Sequence, residues 1–105
     1  MTSPPWSALD TGIRATVRLL WDAGFVTTDS GDGTKENMAC AIAVPHVLMR
    51  CDPAVLVVEA RRLAYFAASH RLVAAEGYGS AVQATYSPAD GVAMLMLFGT
   101  LRGEQ

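Results

Sequence analysis

Apolar residues recur at helical spacing in the first quarter of the chain. They lie at successive offsets of 4, 4, 3 and 1: Leu9, Ile13, Val17, Leu20 and Trp21. This spacing puts them on one stripe of a helix with 3.6 residues per turn. It predicts a helix from about Ser7 to Ala23, with Ser7 or Asp10 as its cap. Gly24 follows as a residue that can adopt a left-handed conformation and end the helix.

A second helix is predicted in the middle of the chain. Asp52 and Pro53 form a typical helix start, as N-cap and first helical residue, and the pattern ends near Ser69 or His70. Its apolar stripe consists of Leu56, Ala60, Leu63, Ala64 and Ala67. The remaining surface carries Glu59, Arg61, Arg62 and Tyr65.

Each predicted helix is followed by sequence typical of β-structure. After the first helix, residues 25–28 are β-rich and residues 29–37 lack any apolar side chain, which predicts a short strand and a loop. Residues 38–51 are again apolar and β-branched, and this strand is bulged, broken or at a sheet edge at Pro45. After the second helix, residues 81–86 and 92–98 predict a hairpin, and residues 87–91 suit a type I turn with a glycine bulge.

The element order is therefore helix-strand-strand, repeated once. It predicts a two-layer α+β fold, αββαββ, with two helices packed on a four-stranded, mainly antiparallel sheet. Residues 1–105 are expected to form one domain with flexible tails at 1–6 and 100–105. Residues 92–98 are apolar without alternation, which favours cover by a helix on one face and by another subunit on the other. Whether the two halves are a true repeat stays open.

Composition narrows the class of partner. Apolar residues make up 51% of the 105 residues and charged residues 17%, with a net charge of −2. The low fraction of charged residues favours a homo-oligomer. The weakly acidic net charge gives no basis for binding duplex nucleic acid. The sequence has no run of 18 apolar residues and no signal-peptide pattern, so we expect no membrane insertion or secretion. Cys40 and Cys51 are expected to be reduced thiols in the cytoplasm.

The richest polar cluster is the segment from Thr27 to Lys35. Its two glycines allow close backbone approach, and consecutive N–H groups can form an anion-binding nest. Donors to a phosphate are available on Thr28, Ser30 and Lys35, while Asp29 and Asp32 can accept from ribose hydroxyls or a base edge. The spacing matches neither a phosphate-binding P-loop nor an EF-hand. A solvated hairpin loop is the alternative.

Three further residues complete the candidate ligand site. His46 lies in an apolar strand, where a core residue is the alternative to a functional one. Arg50 can bind phosphate, and it can also acidify the neighbouring thiol of Cys51, unless that cysteine is simply buried. Tyr86 can stack on a base or fill a sheet position.

The remaining patterns do not indicate catalysis. Arg14, Arg18, Arg61 and Arg62 can form a cationic patch or a solvated helix surface. No His-Glu-x-x-His or Cys-x-x-Cys motif is present. Of the carboxylates, only Asp29 and Asp32 are close in sequence, and a pair for acid–base chemistry cannot be identified without the fold. We therefore expect no catalytic residues, no metal site and no cofactor.

Three segments carry a resemblance: residues 23–35, which include Thr-Thr-Asp-Ser-Gly-Asp-Gly-Thr-Lys, residues 44–47 and residues 84–92. Together they resemble a family of small proteins encoded by phages and prophages, over about Leu9 to Gly99. Members of that family are mostly uncharacterised. The resemblance therefore implies a role against host defence but no particular reaction.

Two weaker resemblances concern only the size, the order of elements and the expected oligomerisation. Size, α+β layout and expected oligomerisation are similar to those of phage sponge proteins that sequester immune nucleotides, including Thoeris inhibitors, with no ligand residues carried over. The αββαββ order is also similar to pterin carbinolamine dehydratases. Their paired-histidine signature is missing, since His46 stands between Pro45 and Val47.

The leading hypothesis is an oligomeric phage-type protein that binds and sequesters a small anionic ligand, a nucleotide-like immune signal, in the host cytoplasm without catalysis. Its pocket would be lined by Thr28, Asp29, Ser30, Asp32, Lys35, His46, Arg50 and Tyr86. One alternative is an inhibitor that binds a host defence protein, of the anti-CRISPR type. The other is a small enzyme resembling a pterin dehydratase.

Overall fold

A computed structural model describes residues 11–33, 44–87 and 89–101. These residues contain two helices, α1 (Arg14–Asp22) and α2 (Leu56–Ser69), each preceded by a 3₁₀ turn. Four strands accompany them: β1 (Thr27–Asp32), β2 (Pro45–Cys51), β3 (Val82–Ser87) and β4 (Val92–Phe98). The predicted α+β class, with two helices and a four-stranded antiparallel sheet in the order αββαββ, is confirmed.

The strands lie in the order β1-β2-β4-β3, and each neighbouring pair is antiparallel. Within the described part of the chain, β1 and β3 are thus the two edges of the sheet. The central pair runs from His46 opposite Phe98 to Cys51 opposite Ala93. This register fixes which side chains share a face, because successive residues of a strand point to opposite sides.

One face of the sheet, called the helix face below, forms the core. Val47 and Met49 of β2 and Leu95 and Leu97 of β4 are buried there. The helices and the chain near them contribute Ile13, Val17, Leu20, Phe25, Leu63, Ala67 and Leu101 to the same cluster. Burial of this apolar stripe from both helices is what holds the two layers together.

The opposite face, called the open face, carries His46, Leu48 and Arg50 of β2 and Val92, Met94, Met96 and Phe98 of β4. Val92, Met94 and Met96 are half-buried, so the apolar β4 keeps accessible surface on this side. At one end, the Tyr78 ring stacks on Phe98 with 4.1 Å between centroids and buries it.

The predicted stop of the first helix at Gly24 is confirmed by its φ of +91°. The indole Nε1 of Trp21 then donates to Thr27 Oγ1 at 2.9 Å and ties α1 to β1. The proposed caps Ser7 and Asp10 lie outside the described residues. Leu101 falls in the range predicted as a tail, yet it is buried and its N–H donates to Thr16 Oγ1 at 3.3 Å. The core therefore extends to Leu101.

The predicted start of the second helix is confirmed as well. The carboxylate of Asp52 accepts from the N–H of Ala54 at 2.8 Å, and Pro53 occupies the first turn. At the other end, Arg71 has a φ of +59°, and the N–H groups of Arg71 and Leu72 return to Ala68 and Ala67. This is a Schellman ending with arginine where glycine is usual.

The loop predicted from Asp29 begins too early. Residues 27–32 form β1, which pairs with β2 from Thr27 opposite Met49 to Asp32 opposite Pro45. Polar residues form this strand because an edge strand needs only its backbone ladder, and its outer side chains remain in water. The later part of the predicted loop and residues 38–43 of the predicted second strand lie outside the described residues.

The hairpin between β3 and β4 agrees with its prediction. The N–H of Gly91 donates to the carbonyl of Ser87 at 2.9 Å, and Gly91 has a φ of +61°. The Ser87 hydroxyl donates to Asp90 Oδ2 at 3.0 Å and braces the turn. The turn sets the register of the whole hairpin, from Ser87 opposite Val92 to Val82 opposite Leu97.

Candidate functional site

The residues predicted to line one pocket do not converge. Thr28 and Asp29 are exposed on the edge strand β1, where the Thr28 hydroxyl donates to the Leu48 carbonyl at 3.2 Å. Asp29 Oδ1 accepts from the half-buried Ser30 N–H at 2.9 Å. Asp32 ends β1 opposite Pro45, and Lys35 lies outside the described residues.

His46 is a buried residue of the sheet, 1% exposed. Its Nδ1 lies 2.9 Å from the carbonyl of Val44 and donates to it as the N–H tautomer. The backbone of Gly31 covers the ring so closely that a Cβ at position 31 would lie 2.6 Å from His46 Cε1. The alternative interpretation of His46 as a core residue fits this position better than a ligand contact.

Tyr86 and Arg50 lie on opposite sides of the sheet. Tyr86 is opposite Ala93 on the helix face, half-exposed at the β3 edge, whereas Arg50 is opposite Met94 on the open face. The predicted pocket containing both side chains is therefore wrong, because the sheet separates them.

A different group of residues surrounds Arg50. A cavity of about 350 Å³ on the open face is lined by Arg50, Thr85, Ser87, Asp90, Val92 and Met94, and is called the Arg50 cup below. Three adjacent strands build it, since Met94 of β4 lies opposite both Arg50 of β2 and Thr85 of β3. The hairpin turn supplies Asp90 at one end.

The cup combines opposite charges with an apolar base. No carboxylate within the described residues lies in ion-pair distance of the Arg50 guanidinium. Asp90 accepts from the Ser87 hydroxyl, and the Thr85 side chain is exposed. Half-buried Val92 and Met94 form the apolar part. Such a cup can bind a molecule that carries an anion, hydrogen-bond donors and an apolar portion.

Only Arg50 of this set was identified from the sequence. The missed residues alternate along the hairpin at positions 85, 87, 92 and 94, so a strict use of the predicted turn would have placed them on one face. The pairing of β2 with β4, which brings Arg50 to them, joins residues over 40 positions apart and leaves no local signal.

The expected acidification of Cys51 by Arg50 is wrong. Burial raises the pKa of the Cys51 thiol, and the carboxylates of Glu59 and Asp52 raise it further. Arg50 cannot offset them, because it points to the open face while Cys51 points to the helix face. The alternative of a structural thiol is the one that fits.

The predicted arginine patch is not a uniform cationic surface. The Arg62 guanidinium donates to Ala23 O at 3.1 Å, forms a bidentate pair with Glu59, and lies 3.8 Å above the Phe25 ring. Arg62 therefore joins α2 to the end of α1. Arg61, one residue earlier, is exposed beside a groove between α2 and β3.

No metal-binding cluster and no membrane-spanning helix occurs within residues 11–33, 44–87 and 89–101. Among them, no group of three or more His, Cys, Asp or Glu side chains is placed to hold a metal ion. None of the helices in this part of the chain has the length and apolar character needed to cross a bilayer.

Comparison with known proteins gives no match: no protein-family model, no curated protein and no solved structure is significantly similar to the chain.

Proposed function

We propose that the protein binds a small nucleotide-like anion in the Arg50 cup and holds it without chemical change. In this proposal, it acts in the host cytoplasm as a phage-type anti-defence protein that sequesters an immune signal. The fold class it requires is a small α+β domain with a preformed polar cup.

One observation carries the proposal. Within the described residues Arg50 has no ion-pair partner, and hydroxyl groups and one carboxylate lie beside it. A guanidinium binds phosphate bidentately, and Thr85 can add a hydroxyl donor. The Asp90 carboxylate can accept from a ribose hydroxyl or an exocyclic amine of a base. Met94 and Val92 can pack against the sugar or base.

The volume of the cup limits which nucleotides can fit in it. Its volume of about 350 Å³ is at the small end of the roughly 300–1,000 Å³ typical of small-molecule sites. One nucleotide unit therefore fits better than a long oligonucleotide. A cyclic dinucleotide would need surface beyond the cup.

The proposed role against host defence is based on the sequence. The segments that resemble phage and prophage proteins include residues 84–92, which contain the last four residues of β3 and the first residue of β4 beside the cup. Phage proteins that sequester immune nucleotides act by tight, non-catalytic binding, and such binding needs a shaped polar cup rather than a nucleophile or general base.

The test is binding of a panel of linear and cyclic nucleotides, followed by native mass spectrometry and then by calorimetry for any nucleotide that adds a defined mass. Arg50→Ala is expected to weaken binding at least about 10-fold, because a charge-assisted bidentate contact is lost. Arg50→Lys should recover only part of the affinity, since lysine keeps the charge but not the fork.

Arg61→Ala is the matched control, because it removes the same charge from an exposed arginine on the opposite side of the sheet. It should bind like the unaltered protein. Equal binding by the Arg50→Ala variant contradicts the site assignment, and indifference to the whole panel contradicts the nucleotide proposal.

A second candidate, inhibition of a host defence protein through surface contact, is favoured by one observation. The outer side of α2 exposes Val57, Val58 and Tyr65 at 63%, 65% and 80%. Pull-down of a host effector by the Arg50→Ala variant, with nucleotide binding absent in the unaltered protein, would favour this candidate.

A further inference from the structure

β3 forms one edge of the sheet within the described residues, and its outer side has the properties of a strand that another strand can pair with. Within the described residues β3 pairs only with β4, and its sequence, Val-Gln-Ala-Thr-Tyr-Ser, contains no charge and no proline. The N–H of Phe98 donates to the carbonyl of Ala81. Because hydrogen-bonded positions alternate in an antiparallel ladder, Val82, Ala84 and Tyr86 direct their N–H and C=O groups away from β4.

An apolar groove runs beside this edge on the helix face. Its volume is about 370 Å³, and it is lined by the apolar residues Leu56, Val57, Ala60, Ala64, Val82 and Ala84 together with Arg61. Tyr86 projects from the same side of β3 and is 50% exposed. An uncharged strand edge next to an apolar groove is unusual on an isolated chain, since natural edges normally carry charges or bulges.

We propose that a second copy of this chain occupies the edge and the groove, with the two β3 strands antiparallel about a two-fold axis at Ala84. Ala84 then lies opposite Ala84 of the second copy, and Val82 lies opposite its Tyr86. All three outward-facing residues of each strand are paired in this register, which gives six backbone hydrogen bonds across the axis.

Side-chain pattern selects this register. A shift of one residue would place helix-face side chains opposite open-face side chains, which a continuous sheet does not allow. A register centred on Thr85 pairs Ala84 with Tyr86 and gives only four bonds within the strands, because Val82 would then lie opposite position 88, which is beyond the end of β3 and, as a proline, has no N–H to donate. The Ala84-centred register completes the ladder.

Self-complementarity favours a second copy over an unrelated partner. The Val82–Tyr86 pairs join a β-branched and an aromatic residue, a stabilising combination across strands. Each Tyr86 ring is then placed beside Val82 of the other copy, one of the residues that line its groove. No like charges meet along the paired strands, since β3 has none.

The same register reaches the Arg50 cup from the open face. Gln83 of the second copy lies opposite Thr85, a residue that lines the cup. Each cup therefore gains a neighbouring amide group in the dimer. Formation of the dimer requires no ligand. Evidence against the dimer would therefore not contradict the proposed function, and evidence against the function would not contradict the dimer.

Sedimentation velocity of the full chain over about 1–100 μM tests the dimer. Ala84→Glu places two carboxylates opposite each other at the axis, and Ala84 is exposed in the single chain, so the variant should fold. Its dimer dissociation constant should rise on the order of 100-fold, since like charges in contact cost several kcal/mol. Ala15→Glu, on the exposed side of α1, is the charge-matched control and should remain dimeric.

A mixing experiment tests the register. Ala84→Lys alone should also be monomeric, whereas an equimolar mixture of the Ala84→Glu and Ala84→Lys variants should form a heterodimer. A monomeric unaltered protein at 100 μM overturns the proposal. So does an Ala84→Glu variant that is as dimeric as the Ala15→Glu control, or a mixture that stays monomeric. Nucleotide binding by a monomeric variant would support the proposed function and show that this function does not require the dimer.

Discussion

Gly31 lets the β1 backbone pass directly over the imidazole of His46. A methyl group there would lie 2.6 Å from Cε1 of a ring that is almost wholly buried. Gly31→Ala is therefore expected to lower the free energy of unfolding by about 1–3 kcal/mol, as overpacking does in a core. Chemical denaturation at one fixed protein concentration measures this loss.

The His46→Ala background supplies the control for that prediction. With the ring removed, the added methyl group has space, so the cost of Gly31→Ala should fall below about 1 kcal/mol. An equal cost in both backgrounds would show that the glycine serves backbone conformation rather than the ring.

Cys51 gives a prediction about pH. Its pKa is raised in the folded chain by burial, Glu59 and Asp52. The folded state thus holds the thiol proton more tightly than the unfolded state, whose pKa is about 8.5. The stabilisation that this provides is complete below the unfolded pKa and is lost as pH rises through the folded pKa. Iodoacetamide labelling against pH, in a Cys40→Ser background, should show a midpoint above the ordinary value.

Two variants separate the causes of that shift. Glu59→Gln should lower the labelling midpoint because it removes a neighbouring negative charge. Arg50→Ala should leave it unchanged, since Arg50 points to the other face of β2. A midpoint that follows Arg50 instead would restore the interpretation of Cys51 as an activated thiol.

Among the elements, the junction of α1 and α2 depends on Arg62. Its guanidinium bonds a carbonyl at the end of α1, pairs with Glu59 and covers Phe25, although the side chain is 41% exposed. Arg62→Ala should lower the free energy of unfolding by about 1–2 kcal/mol, mostly through the lost bond and packing. Thermal and urea unfolding measure it.

Arg61→Ala is the neighbour control and should change the free energy of unfolding by less than about 0.5 kcal/mol, because no hydrogen bond or ion pair holds Arg61 within the described residues. Arg62→Lys should fall between the two, since lysine cannot make the forked contact. Similar values for Arg61→Ala and Arg62→Ala would contradict the proposed role of Arg62.

Local patterns predicted the elements that have local causes. The cap at Asp52, the stop at Gly24 and the turn at Gly91 each follow from residues within one turn of the chain. The strand Thr27–Asp32 could not be identified in this way. Its residues are polar, and only pairing with β2, some 13 to 22 residues later, makes them a strand.

At the level of the whole molecule, the candidate site was harder to predict than the fold. Class and element order follow from periodicity, but the site depends on which strands become neighbours. The order β1-β2-β4-β3 moves Arg50 beside the β3–β4 hairpin and separates it from Tyr86 by the sheet itself. Sequence spacing contains no information on that arrangement.

The two edges of the sheet differ in a way that limits growth of the assembly. The register of β1 shifts between Thr27 and Asp29, and the edge carries exposed Asp29, so β1 is a poor template for another strand. A chain with two competent edges would polymerise into an open fibre, as any head-to-tail contact that fails to close does. If two copies pair through β3 as proposed, both β3 edges are used, and the four described strands of each copy form a closed sheet that does not extend into a fibre.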